Sequence, residues 1–247
     1  KEWILAENVT YDNAGRIHTK TINIKEDGSQ KAVVIYDYYP NGRLWKETVR
    51  DGSITGKLLS FKEYTYTEYV NDSTYGPCNK VKIAIQRDDS NVTNVYLYYN
   101  NLGRLVKEEV EVKQPNGSIK KLVQTYTYDY VGNKLTIKDF RANDENWPES
   151  YTSKFDYDYA GRIIKAYNIN TTNNYIEYEY DRLGRKIKEY DYLRNATTYK
   201  YNALNQLIET ISPFEGNITR RSVQYYDKNG NLMMQLQQSN KQGEAEK

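Results

Sequence analysis

The sequence predicts an all-β chain of tandem antiparallel β-hairpins laid side by side as one curved strip around a hollow. Three observations carry this. A Tyr-x-x-x-Gly motif recurs eight times along 247 residues, once with Asn for the Gly, the residues before the copies alternate in polarity, and tyrosine outnumbers phenylalanine 27 to 4. Leu, Ile, Val and Phe together make up about a fifth of the chain, close to the level below which chains stop folding. A disordered chain would also carry a large net charge and few aromatics, whereas the formal charge is +2 and aromatics are 14%. Tyrosine supplies the missing apolar surface, and its hydroxyl asks for water or a partner. That favours thin layers with wet edges over a thick dry core.

The copies begin with Tyr11-Asp12-Asn13-Ala14-Gly15-Arg16, Tyr38-Tyr39-Pro40-Asn41-Gly42-Arg43 and Tyr99-Asn100-Asn101-Leu102-Gly103-Arg104. They continue as Tyr128-Asp129-Tyr130-Val131-Gly132-Asn133, Tyr157-Asp158-Tyr159-Ala160-Gly161-Arg162 and Tyr180-Asp181-Arg182-Leu183-Gly184-Arg185. The last two are Tyr201-Asn202-Ala203-Leu204-Asn205-Gln206 and Tyr226-Asp227-Lys228-Asn229-Gly230-Asn231. Successive glycine positions lie 27, 61, 29, 29, 23, 21 and 25 residues apart. The 61-residue gap is about two periods, which places a degenerate copy near Tyr69 to Val81, in what reads as an irregular insertion.

Each part of the motif has a local reason. Asp or Asn opening a type I turn, closed by a residue at positive φ, is the composition of a three-residue hairpin loop. Asn205, standing in the glycine position of the seventh copy, is the next most tolerant residue there. Upstream, Ile176, Tyr178 and Tyr180 share one face and Tyr175, Glu177 and Glu179 the other, the period of a half-buried strand. Downstream, the third residue past the glycine is Trp45, Val106, Leu135, Ile164, Ile187, Ile208 or Met233, with His18 breaking the column. Lys46, Lys107, Lys165 and Lys188 follow it, which marks a solvated face. Hairpins that cannot bury their own faces must stack on neighbours, so equivalent tyrosines are expected to form ladders from one hairpin to the next. The strip is expected over 1–232, degenerate at 45–96, with a polar tail over 233–247.

Tyr-Asp-x-x-Gly-Arg-Leu/Ile in tandem resembles the YD repeats of the Rhs family, found in bacterial Rhs and wall-associated polymorphic toxins, Tc toxin C components and teneurins. The resemblance covers Tyr11 to Leu232. It implies a spiralling β-sheet shell that in the bacterial toxins encloses a C-terminal toxic domain, and so a non-enzymatic structural segment of a larger, secreted or surface parent protein. The family's shell is normally closed by a downstream self-cleaving segment with paired aspartates. None follows Leu232, so the chain reads as a partial strip.

Other chemistry is weighed against this. His18 is the sole histidine and Cys78 the sole cysteine, so no internal disulfide, cysteine-based zinc site or histidine cluster can be assembled. His18 reads as a sheet-surface residue and Cys78 as a free thiol in a loop. No metal or other cofactor is expected. Asp12, Asp129, Asp158, Asp181 and Asp227 recur once per hairpin, as turn capping requires, whereas a catalytic pair would be unique and close-set. Arg16, Arg43, Arg104, Arg162 and Arg185 recur as regularly and are expected to bond a carboxylate or a neighbouring hairpin. Trp147, in a loop between two good copies, is the candidate ligand contact of an alternative reading, an adhesion or carbohydrate-binding module engaging a glycan or cell-wall polymer. Balanced charge argues against a nucleic-acid partner, and no apolar run is long enough to span a membrane. The chain also opens without a secretory leader, as a mature or excised segment would.

Overall fold

A computed structural model describes residues 7–23, 30–87, 91–139, 152–169, 171, 173–216 and 218–240. It holds eighteen strands and, among the described residues, no helix. The chain divides into two compact units, Lys1–Tyr126 and Thr127–Lys247. The first contains β1 (Glu7–Tyr11), β2 (Ile17–Asn23), β3 (Lys31–Tyr38), β4 (Leu44–Asp51), β5 (Leu58–Asp72), β6 (Gly76–Arg87), β7 (Thr93–Tyr99), β8 (Leu105–Lys113) and most of β9 (Ile119–Tyr128). The second contains β10 (Lys134–Lys138), β11 (Thr152–Tyr157), β12 (Ile163–Asn168), β13 (Tyr175–Tyr180), β14 (Lys186–Tyr190), β15 (Ala196–Tyr201), β16 (Leu207–Pro213), β17 (Thr219–Tyr226) and β18 (Leu232–Ser239). Within each unit every strand pairs antiparallel with the next in sequence. The expected all-β hairpin array is present.

Within each unit the strands alternate in direction, so its turns fall at two opposite ends. Every recognised motif copy makes an odd-to-even turn, at what we call the tip rim of its unit. The backbone there is uniform: the residue after the tyrosine donates its N–H to the carbonyl four residues on and accepts from the N–H three on, as between Asp181 and Arg185 (2.9 Å) and between Gly184 and Asp181 (3.0 Å). Gly184 has φ 84° and Asn205 φ 63°, the left-handed region that glycine and asparagine tolerate best. The extra residue shifts the register just before the tyrosine, so that Tyr180 faces Lys186 and Tyr201 faces Leu207. This is a bulge at the foot of each hairpin tip.

The degenerate copy expected near Tyr69 to Val81 is present as a ninth tip rather than an irregular insertion: Asp72 Oδ1 accepts the N–H groups of Thr74 and Tyr75 and Gly76 sits at φ 68°. A bulge around Tyr69, itself at φ 58°, lengthens β5 to 15 residues and hides the spacing. The thin, wet packing expected from the composition is seen in the column after the glycine, where Val106 is 5% exposed but Ile164 is 37% and Met233 70% exposed. Sequence and structure differ in two places. Leu232–Ser239 forms β18 against β17, so the expected tail is strand as far as Ser239, its backbone paired despite the polar side chains. Cys78 lies on β6 and is 1% exposed, not in a loop, because Gly76 and Pro77 begin the strand. The remaining stretch of the 45–96 degeneracy folds as ordinary hairpin strand in β4 to β7.

Candidate functional site

The recurring residues converge on one device at the tip rim. It begins at the turn aspartate. Asp158 Oδ1 accepts the N–H groups of Ala160 and Arg162 (2.9 and 3.0 Å), and its Oδ2 accepts Arg162 Nε (2.7 Å). Asp12 with Arg16 and Asp181 with Arg185 repeat this. Where the arginine is replaced, Asn133 bonds Asp129 and Asn231 bonds Asp227 through the same amide-to-carboxylate contact, 2.8 and 2.9 Å. These carboxyls are held below the ordinary range. Backbone and side-chain donors of residue 16 act on Asp12, Arg162 acts on Asp158, and Asn231 acts on Asp227. At Asp181 and Asp129 partial desolvation opposes the shift and the turn donors outweigh it. A carboxylate that accepts three or more donors from its own turn serves as a turn cap, and its lowered pKa disfavours the protonated form that a general acid needs.

The next link reaches the following hairpin. Arg16 lies 4.3 Å from the centre of the Tyr38 ring, Arg43 5.2 Å from Tyr66, Arg162 4.8 Å from Tyr180 and Arg185 5.0 Å from Tyr201, within cation–π range. Arg185 also donates to Asn205 Oδ1 (3.0 Å). These four tyrosines, and Tyr157 and Tyr226, whose preceding tips carry Asn133 and Gln206 in place of arginine, donate their hydroxyls to a backbone carbonyl of the preceding hairpin: Tyr38 to Ile17 (2.7 Å), Tyr66 to Leu44 (3.0 Å), Tyr157 to Lys134 (2.7 Å), Tyr180 to Ile163 (2.8 Å), Tyr201 to Lys186 (2.9 Å) and Tyr226 to Leu207 (2.8 Å). The acceptor is always the second residue past the tip's glycine position. Tyr66 thereby takes the anchor role for the hidden copy. Stitching between hairpins therefore runs through hydroxyl-to-carbonyl bonds, four of them under an arginine lid, while close ring pairs gather around Tyr39, with Trp45 and Tyr66 (6.5 and 6.1 Å).

The other expected positions lie as follows. Gly15, Gly42, Gly103, Gly132, Gly161 and Gly230 close their turns at positive φ. Tyr11, Tyr99 and Tyr128 end β1, β7 and β9, and Arg104 follows the Asn100 turn, its N–H bonded to Asn100 Oδ1. Arg43 leaves the turn pattern to pair with Glu68 (3.0 Å). Trp147 lies outside the described residues. His18 is exposed on β2, its Nδ1 3.4 Å from the Tyr36 carbonyl. Burial and the neighbouring Asp72 charge push the Cys78 thiol up, away from the thiolate that nucleophilic chemistry requires.

Two sites escaped sequence reasoning. Tyr190-Asp191-Tyr192-Leu193-Arg194-Asn195 is a motif copy on the opposite rim, with Arg194 at φ 67° in the glycine position and Asn195 bonded to Asp191. Its Tyr-Asp pair is visible in the sequence, but alignment on glycine passes over it. The second is an ionic cluster in the first unit. Lys107, expected on a solvated face, is 16% exposed between Asp72 and Glu109 and lies 4.2 Å from the centre of the Tyr98 ring, whose hydroxyl donates to Glu109 (2.9 Å). Desolvation penalises both the Lys107 ammonium and the Asp72 carboxylate, yet their mutual bond keeps both charged. Long-range pairing of this kind leaves no periodic mark.

No protein-family model matches the chain, and no curated protein sequence does. Among solved structures, the chain is similar to a crystal structure of TcdB2-TccC3-TEV, at 15% identity and a TM-score of 0.49, over 95% of this chain and 15% of that one. A Photorhabdus luminescens Tc holotoxin pore matches at 14% identity and a TM-score of 0.41, over 95% of this chain and 16% of that one. TcdB2-TccC3 without its hypervariable C-terminal region matches at 14% identity and 0.43, again over 95% and 15%. The chain thus spans about one sixth of the length of these structures.

Proposed function

We propose that the chain is a non-enzymatic structural segment of a larger secreted or surface protein of the YD-repeat class, forming part of a β-sheet wall that encloses a C-terminal toxin domain. The observation that carries this reading is the tip device. Residues that recur from hairpin to hairpin cap their own turn and, at Tyr38, Tyr66, Tyr157, Tyr180, Tyr201 and Tyr226, tie it to the hairpin before it, which is what a wall needs and what a catalytic site would not repeat. The low exposure of Cys78 and the raised pKa of its thiol, together with the capped aspartates, add support. The reading is tested in the parent protein by limited proteolysis. The enclosed domain should resist cleavage, and should become accessible when Tyr180, Tyr201 and Tyr226 are changed to Phe. Equal cleavage of that domain with the wall intact contradicts enclosure. Retention of the isolated chain on peptidoglycan or immobilised glycans, lost on Trp147→Ala, would favour the adhesion reading instead.

A further inference from the structure

Asp72 differs from the other motif aspartates in what its second oxygen meets. At Asp12, Asp129, Asp158, Asp181, Asp191 and Asp227, Oδ2 accepts the side chain of the residue four positions on, an arginine or an asparagine. Four positions after Asp72 stands Gly76, which has no side chain to offer, so Oδ2 is left open to another hairpin. Lys107 of β8 takes the place, its Nζ 2.5 Å from Asp72 Oδ2 and 3.3 Å from Glu109 Oε1. All three side chains are largely buried, with the Tyr98 ring against Lys107 and the buried Cys78 beside Asp72. Asp72 Oδ1 accepts the N–H groups of Thr74 and Tyr75 at 2.9 and 3.1 Å, and Glu109 Oε2 accepts the Tyr98 hydroxyl at 2.9 Å. An amine, a carboxyl group, a second carboxylate and two convergent N–H donors thus meet in a place that excludes most water.

We propose that Lys107 Nζ and Asp72 Cγ become joined by an isopeptide bond, formed by the folded chain itself with Glu109 as proton carrier. The ion pair is the reactant. A proton passes from the ammonium to Asp72 Oδ2 along the bond between them, giving a neutral amine beside a neutral acid. The nitrogen lone pair then attacks Cγ, which lies no more than about 3.7 Å from Nζ, one C–O bond beyond Oδ2, close to a near-attack arrangement. The displaced electron pair moves onto Oδ1, where the Thr74 and Tyr75 N–H groups serve as an oxyanion hole. Glu109 takes the surplus proton from the nitrogen and hands it to Oδ2, which leaves with the C–O bonding pair as water. Glu109 ends as it began, and an ammonium and a carboxylate have become an amide and one water, with nothing oxidised or reduced. The condensation also removes two charges whose burial is costly. The bond ties the ninth tip to the hairpin of β7 and β8, a joint at which Tyr99 makes no hydroxyl-to-carbonyl bond among the described residues. It goes beyond the reading of the chain as a wall segment and stands whatever the wall encloses.

The test is the mass of the chain. Recovered unfolded and then refolded, with strand content confirmed by circular dichroism, it should become lighter by one water molecule. Trypsin should then release residues 63–80 joined to residues 105–113 as one branched peptide, with Lys107 uncleaved and fragmentation placing the link at Asp72. Lys107→Arg keeps a cation opposite Asp72 and should retain the full sequence mass. Glu109→Gln should slow the loss of water on the order of a hundredfold, the ordinary contribution of a positioned proton carrier. The wild-type digest decides the matter even if either variant fails to fold. A refolded chain that keeps its full mass and yields the two peptides separately overturns the proposal. So does a water lost equally from the Lys107→Arg chain, which places the dehydration elsewhere, and a water lost within residues 105–113 alone, which joins Lys107 to Glu109 instead. Equal rates in the wild-type and Glu109→Gln chains overturn the role of Glu109.

Discussion

The two units use the same turns and are held together differently. Among the described residues, every buried apolar side chain lies in the first unit: Ala32, Val33, Val34, Cys78, Tyr98, Val106 and Tyr126. The second unit buries Glu209, clasped by Lys200 and Arg221, and its other described side chains are half-buried or exposed. Its hairpins are joined by the regular series at Tyr157, Tyr180, Tyr201 and Tyr226. The first unit has longer strands, an ionic cluster at Lys107 and fewer regular tips. The contrast teaches that the tip device can take over from a dry core. Where the repeat is regular, polar bonds between hairpins replace apolar burial, which is how a chain so poor in aliphatics folds.

Acid should separate the units most strongly. In the second unit Asp129, Asp158, Asp181, Asp191, Asp227 and Glu209 all have lowered pKa values, against Asp12 and Asp72 in the first. For Glu209 the Lys200 and Arg221 bonds outweigh burial. A group whose folded pKa is depressed contributes stability above its unfolded value, and that stability is lost as pH falls through the folded value. The ordinary values are 3.8 for Asp and 4.5 for Glu, so hydrogen-exchange protection should fall below that range first in residues 127–247. Simultaneous loss across both units would break the comparison.

Lys107→Met should act on the first unit. It leaves Asp72 and Glu109, 8% and 14% exposed at the side chain, without their cation. Removing one partner of a largely buried pair costs about 3 kcal/mol, read as a lower urea midpoint with protection in 127–247 unchanged. A smaller matched pair sharpens the contrast. Val106 and Ile164 occupy the same repeat position but are 5% and 37% exposed. Val106→Ala should cost about 2 kcal/mol, by lost burial plus a cavity, and Ile164→Ala less than about 1 kcal/mol. Equal costs would mean that the second unit has a core after all.

How far the sequence could be read follows from the range of each interaction. Asp158 and Gly161 act within four residues, so their roles are written locally. The same holds for Asn205, whose tolerance of positive φ is intrinsic. The partner of Tyr180 is a carbonyl 17 residues away, and the motif gives its spacing without its bond. Tyr66 was masked because the bulge at Tyr69 separates it from its tip, and Asp191 because Arg194 stands where glycine is expected. Lys107 belongs to a column that reads as solvated, and only the pairing of β7 with β8, placing Tyr98 opposite it, shows that it is enclosed. Alternating polarity marks a strand with a half-buried and a solvated face, yet Tyr175, Ile176, Glu177 and Tyr178, from both faces, are all half-buried, because long side chains lie across their neighbours: Lys165, for one, rests 3.8 Å from the centre of the Tyr175 ring.

The central claim, that tyrosine hydroxyls join each hairpin to the one before it, is tested most directly by Tyr→Phe substitution at Tyr157, Tyr180, Tyr201 and Tyr226, one at a time, with exposed Tyr159 and Tyr225 as controls. Chemical denaturation should show a loss of about 1 kcal/mol at each of the four, the net contribution of one hydrogen bond, and no measurable change at the controls. Four silent substitutions, or losses no larger than those at the controls, would contradict it.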